Sequence, residues 1–261
     1  MCYYVTIHSN LGKEIRVYDL DERVTNPIAL QYEFVTSFTF PNYPVIARIG
    51  NQNVLMEMGW SVDPFYEKDE KKRSIRRRSM ANARSERILE DKRSYWYRIR
   101  KNRCLIPVSG TFEHREIKGM KRKVPYYIWM KDREMQFIPG LYQLEERVSL
   151  DGEVIQYGSF TMITRSANNV MSGIHNSGDN KHRMPLFLTP EIERFWLEGV
   201  ENDNDIASVF QFEMPNEEIN YHTIYPIVGT KARPDGKHAW EKWDYDDVPP
   251  LGIDESQTSL F

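Results

Sequence analysis

Short runs in which apolar residues alternate with polar ones, or stand together between Gly, Pro and charge, dominate the middle of the chain. CLIPVSGTFEH (104–114), VPYYIWM (124–130), FIPGLY (137–142), SFTMITR (159–165) and MPLFLT (184–189) all have this form and predict strands. Two stretches carry helical spacing instead. ANARSERILEDKRSYWYRIRKN (81–102) reads as helix over much of its length. PEIERFWLEGV (190–200) reads as a helix with Pro190 at its start and Gly199 at its end. No repeat period is visible. Beyond Glu241 the pattern dissolves into an acidic, proline-containing run, EKWDYDDVPPLGIDESQTSLF, that reads as a flexible tail. The expected organisation is one α+β domain over residues 1–240, followed by a tail over 241–261.

Composition narrows the class. Hydrophobic residues make up 40% and charged residues 28% of 261 positions, as in ordinary soluble proteins. No apolar run reaches the length of a membrane helix, and no basic-then-apolar leader opens the chain. Two cysteines, Cys2 and Cys104, make neither a disulfide framework nor a metal site by themselves, so a reducing, cytoplasmic setting is expected. The formal net charge of −3 conceals an asymmetry, because 14 basic residues stand against three acidic ones between Lys71 and Arg103. Tyr95, Trp96 and Tyr97 lie within that stretch, with Trp60 and Tyr66 just before it. Interleaved basic and aromatic residues suit single-stranded nucleic acid, where phosphates are neutralised and unpaired bases stack. A solvated helix face with core aromatics fits the same stretch equally well.

The chemistry sits at the opposite end of the chain. Cys2 follows Met1 directly and is small enough for methionine aminopeptidase to act. Removal of Met1 exposes a 1,2-aminothiol, whose amine condenses with aldehydes and whose thiol closes on the resulting imine to give a thiazolidine. Both groups are partly nucleophilic near neutrality, with reference pKa values of about 7.7–8.0 and about 8.5. Position alone also fits an ordinary small residue.

Four segments taken together, MCYY (1–4), NARSER (82–87), RCLIPVSGTFEH (103–114) and SGIHNSGDNKHRMPLFL (172–188), resemble the SOS-response-associated peptidase (SRAP) family of abasic-site processing proteins. The resemblance implies a single domain with a predominantly antiparallel, barrel-like β core and flanking helices. It implies a sensor of abasic sites in single-stranded DNA that crosslinks itself to the lesion through Cys2 during the SOS response. The alternatives are a cysteine peptidase using Cys2, and an inactive single-strand-binding module. The label of enzyme then covers self-crosslinking, with lyase, hydrolase or peptidase activity left open.

Site roles follow residue by residue from the same resemblance. Asn82 would hold the Cys2 backbone or the deoxyribose, and Glu113 would move protons during ring opening and closure. His175 would assist Schiff-base chemistry, with His182, directly before Arg-Met-Pro, as the alternative histidine. Trp60 would stack on a base, while Arg84 and Arg183 would contact the DNA backbone. Amine, thiol, carboxyl and imidazole suffice for this chemistry, so no cofactor and no metal is expected. Three departures stand out: Tyr4 replaces a basic residue common in the family, MGWSVDP replaces Trp-Gly-Leu-Ile-Pro, and NSGDNKH separates His175 from Arg183. Cys104, among apolar neighbours, is expected to be a buried structural thiol. When DNA-bound the protein would be nucleoid-associated. The terminal Gln257, Leu260 and Phe261 resemble the short peptide by which bacterial proteins dock on the replicative sliding clamp.

Overall fold

The alternation seen in the sequence closes into two β layers. The computed structural model describes residues 2–15, 18, 20, 32–148, 151–227 and 232–252. The clamp-like residues Gln257, Leu260 and Phe261 lie outside them.

A five-stranded ring is built from β3 (Asn42–Ile49), β4 (Gln52–Trp60), β6 (Arg103–Val108), β9 (Gln136–Val148) and β10 (Val154–Ser166). Neighbours pair in the order β10-β4-β3-β6-β9, and β9 pairs back onto β10, which closes the barrel. All of these pairings are antiparallel except β4 with β10. Closure removes exposed sheet edges, a standing liability of β structure. Its interior is aromatic: Trp60 stacks on Phe160 at 6.0 Å and lies 6.2 Å from Tyr43. Each polar edge is satisfied inside, Trp60 Nε1 donating to Ala81 O (3.2 Å) and the Tyr43 hydroxyl to Pro107 O (2.7 Å). Gly140 permits the tight β6–β9–β10 approach, since a Cβ there would stand 2.7 Å from Thr161 O and 2.9 Å from Cys104 Sγ. Cys104 is fully buried, as its neighbours suggested.

The second layer is an open antiparallel sheet in the order β12-β8-β7-β1-β2, comprising β12 (Ile219–Thr223), β8 (Val124–Met130), β7 (Gly110–Arg115), β1 (Tyr4–Ile7) and β2 (Tyr32–Thr36). Two three-residue strands, β5 (Asn82–Arg84) and β11 (Arg183–Pro185), extend opposite edges of β10 beyond the barrel. Helices flank these layers, among them α1 (Leu11–Glu14), α2 (Glu70–Arg78), α3 (Ser85–Glu90), α4 (Tyr95–Ile99), α5 (Asn169–Ile174), α6 (Pro190–Arg194) and α7 (Asp203–Gln211). None among the described residues is long and apolar enough to cross a membrane.

Three sequence-based expectations change. The stretch 81–102 is not one helix but a strand and two short helices, with the break stabilised where the Ser94 side chain caps α4. The run 184–189 pairs only at its first residues. The flexible tail expected from residue 241 does not begin there. Buried Arg115 needs acceptors and finds Pro249 O (2.6 Å) and Pro250 O (3.1 Å), while Thr223 bonds both ways with Trp243 and Tyr245 donates to Ile224 O. A fully buried guanidinium left without such partners would be costly, so residues up to about 250 belong to the domain.

Candidate active site

The site forms where the open sheet meets the extension of β10. β1 and β7 run antiparallel with Val5 opposite Thr111 and Thr6 opposite Gly110. Glu113 lies two residues beyond Thr111 on β7, and its charge reaches the Cys2 thiol. From the barrel side, Asn82 at the head of β5 reaches across and donates from Nδ2 to Cys2 O at 2.9 Å. That single bond ties the N-terminal segment to β10 through β5. The other amide atom, Asn82 Oδ1, is buried and has no hydrogen-bond partner in the structure. Buried polar atoms are nearly always satisfied, so an orphaned acceptor beside Cys2 is a ready position for a substrate hydroxyl or amine.

Cys2 itself is completely buried, and its thiol donates to Tyr4 O at 3.4 Å. Burial, reinforced by the nearby Glu113 charge, pushes the thiol far above its usual range. It is therefore a protonated thiol and not a standing thiolate.

Glu113 and His175 face each other with Oε2 and Nε2 4.0 Å apart. Both are buried, 5% and 8% exposed, and burial shifts them in opposite directions because it disfavours whichever form is charged. The Glu113 carboxyl is pushed up to about 7 by burial, with the N-terminal amine and the His114 N–H pulling partly the other way. The His175 imidazole is pushed down to about 4, again by burial first and then by the positive N-terminal amine. Near neutrality the pair therefore holds a carboxyl poised between its two forms beside a neutral imidazole. His175 Nδ1 lies 2.9 Å from Arg183 O, and a carbonyl can only accept, so Nδ1 carries the proton and Nε2 presents its lone pair toward Glu113. The chain places this ring by ending α5 at Ile174, after the Asn168 side chain caps its start.

The candidate residues divide accordingly. Cys2, Asn82, Glu113 and His175 come together. His182 does not join them: it is exposed, sits at φ 59°, and bonds to the Ser172 hydroxyl at 2.8 Å. Arg84 is exposed on the rim, its guanidinium meeting Asn180 Oδ1 at 3.0 Å.

Arg183 differs from its expected place as a backbone contact. Only 8% exposed, it forms a bidentate pair with Glu86 (2.6 and 3.0 Å) and also donates to Thr164 O (2.9 Å). Its guanidinium is committed to joining α3, β10 and β11, and its carbonyl orients His175. Trp60 is likewise corrected. At 1% exposure inside the barrel it has no free face for a base.

An exposed aromatic pair lies elsewhere, next to Cys2. Phe38 is 51% exposed on a 3₁₀ turn (Ser37–Thr39) held to the residue before β1 by Ser37 N–H donating to Tyr3 O (3.0 Å). Its ring stacks on Tyr3, the neighbour of Cys2, at 4.7 Å. An aromatic in the polar turn TSFTF was the available signal. Among the described residues no cluster of three or more His, Cys, Asp or Glu could hold a metal.

Comparison with known proteins matches the chain to a family. A family model described as SOS response associated peptidase (SRAP) matches residues 1–231. The abasic site processing protein YoaM of Bacillus subtilis is 30% identical over 233 residues, covering 88% of this chain and 93% of its own. YoqW of the same organism, of the same description, is 29% identical over 208 residues, 78% of this chain and 84% of its own. A crystal structure of a protein from Bacteroides thetaiotaomicron superposes with a TM-score of 0.70 at 29% identity, covering 86% of this chain and 92% of that one. A second, from Bordetella bronchiseptica, shares the fold at TM-score 0.66 and 19% identity.

Proposed function

From the premise that this chain belongs to the SOS response associated peptidase family, we propose that it processes abasic sites in single-stranded DNA by crosslinking itself to them through Cys2. The observation that carries the reading is the buried constellation around residue 2: a backbone held by Asn82, a protonated thiol, and the opposed Glu113 and His175.

The chemistry uses each group in turn. Abasic deoxyribose is mostly a closed hemiacetal. Protonated Glu113 gives its proton to the ring oxygen as the anomeric hydroxyl loses one, which frees the aldehyde. After Met1 is removed, the Cys2 amine adds to that aldehyde carbon to form a carbinolamine. Expulsion of water, with a proton returned by the Glu113–His175 pair, leaves an imine. The Cys2 sulfur then bonds to the imine carbon while the thiol proton passes to nitrogen, closing a thiazolidine with net loss of one water. Asn82 Oδ1 is the acceptor that steadies the amine or the sugar hydroxyl. Phe38 and Tyr3 supply an aromatic face for the neighbouring base.

A thiolate-dependent peptidase is less well supported, because burial holds this thiol protonated. The deciding experiment incubates the protein, with loss of Met1 checked by mass spectrometry, with single-stranded DNA carrying one abasic site, and resolves the product on a denaturing gel. A heat-stable shifted band is expected. It should be lost in Cys2→Ala, after acetylation of the α-amine, and with intact DNA. Peptide cleavage that survives acetylation, with no shifted band, would overturn the proposal.

The two arginines should separate cleanly. Arg84→Met should weaken binding to intact single strands severalfold with stability within about 0.5 kcal/mol of native, as for an exposed side chain. Arg183→Met should cost about 1.5–3 kcal/mol of stability, measured from urea unfolding midpoints, because it removes the charged hydrogen bonds to Glu86 and Thr164.

A further inference from the structure

Arg84, within the basic stretch 71–103, stands on the rim of the site, where it meets Asn180. A separate basic cluster lies outside that stretch. The turn joining β7 to β8 spans residues 116–123, and Lys118, Lys121, Arg122 and Lys123 in it are all exposed, with Glu116 as the single acidic residue. This turn is built to hold its charges outward. Ile117 is buried, Met120 packs on the core, and Gly119 takes the left-handed φ of 88° that lets the chain reverse between them.

Position relative to Cys2 follows from the chain. Glu113 on β7 acts on the Cys2 thiol, and the turn starts three residues further along, about 10 Å away at roughly 3.4 Å per residue. The long His175–Arg183 connection is fastened to it, since Asn176 accepts from Glu116 N–H and donates to Glu116 O, both at 2.8 Å. At its other end the same connection meets Arg84 through Asn180. The positive charge of Lys123 is also felt at both His114 and His175, lowering each. The ring of Tyr4 lies 6.0 Å from that of His114.

We propose that the β7–β8 turn is a second phosphate-binding rim, holding the DNA strand on the side of Cys2 where Tyr4 supplies no charge. Lys118, Lys121, Arg122 and Lys123 then act as its contacts, and the strand runs between this rim and Arg84 with the lesion over Cys2. The inference rests on the reading that the ligand is single-stranded DNA.

The test replaces Lys118, Lys121, Arg122 and Lys123 together with Gln and follows a fluorescent, lesion-free single strand by anisotropy over a salt series. Affinity at low salt should fall at least fivefold. The slope of log affinity against log salt should become shallower by about 0.7 for each phosphate that the turn no longer neutralises. A control with exposed Lys13, Lys131 and Lys237 changed to Gln should stay within twofold of native. A variant with Arg at all four turn positions should also bind like native, which separates charge from fold. If native protein binds and crosslinks but the four-Gln variant keeps its affinity and slope, the second rim is overturned and the proposed function stands. If native protein neither binds nor crosslinks, both fall.

Discussion

Glu113→Gln is expected to slow crosslinking to an abasic single strand by about 10²–10⁴-fold, the usual contribution of a positioned general acid or base. The amide keeps the size of the carboxyl and its place opposite His175, but it cannot exchange a proton. Its pH dependence gives the role a sharper signature. Because burial pushes the carboxyl up to about 7, the protonated form that opens the sugar ring is lost as pH rises through that value. The native rate should therefore turn down above about pH 7, and this limb should vanish in the variant. Stability falls with rising pH as well. A carboxyl whose folded value lies above its ordinary 4.5 holds its proton more tightly when folded, so its favourable contribution is complete below the ordinary value and fades as pH rises through about 7. The displacement corresponds to roughly 3 kcal/mol. Melting at pH 5 and pH 8 should show Glu113→Gln gaining on native protein at the higher pH. A variant that loses stability equally at both values and keeps its rate would mark Glu113 as a packing residue only.

The second large effect is on stability. Trp60→Ala should cost about 3–5 kcal/mol, as removal of a buried aromatic does, and the Ala81 carbonyl would keep only the Met162 N–H of its two donors. That is a large share of the stability of an ordinary domain. Phe38→Ala should do the reverse. Half exposed, it should leave the urea midpoint nearly unchanged while weakening single-strand binding by about 1–3 kcal/mol, the worth of one base–aromatic stack. Measuring both quantities on both variants decides which aromatic meets DNA. Weakened binding with an unchanged midpoint for Trp60→Ala would return that role to Trp60.

Cys2 was legible as a candidate from its place directly after Met1, whereas Asn82, Glu113 and His175 were named only through the family resemblance of the motifs that carry them. The α+β class was legible too, from alternation in the central strands, and so was the buried state of Cys104, from its apolar neighbours. Local sequence could not separate His175 from His182. Both are histidines near Arg-Met-Pro, and the difference lies in α5 ending at Ile174 and the Arg183 carbonyl accepting from one ring. Nor could it tell which aromatic rings stand exposed. An exposed tryptophan and a barrel-filling one are written identically, and only closure of β3, β4, β6, β9 and β10 puts Trp60 inside and leaves Phe38 out. The end of the domain was obscured for a similar reason. Acidic, proline-containing sequence reads as tail until a buried arginine 134 positions away along the chain is found bonded to Pro249 O.

What the sequence determined by itself was the aminothiol that removal of Met1 would expose and the strand-rich class, since both depend on residue identity and near-neighbour pattern. Burial, pairing and proton affinity were decided by tertiary structure alone. They arise from contacts between segments far apart in the chain, as when β7 and α5 bring a carboxyl and an imidazole within 4.0 Å in a space that water does not screen.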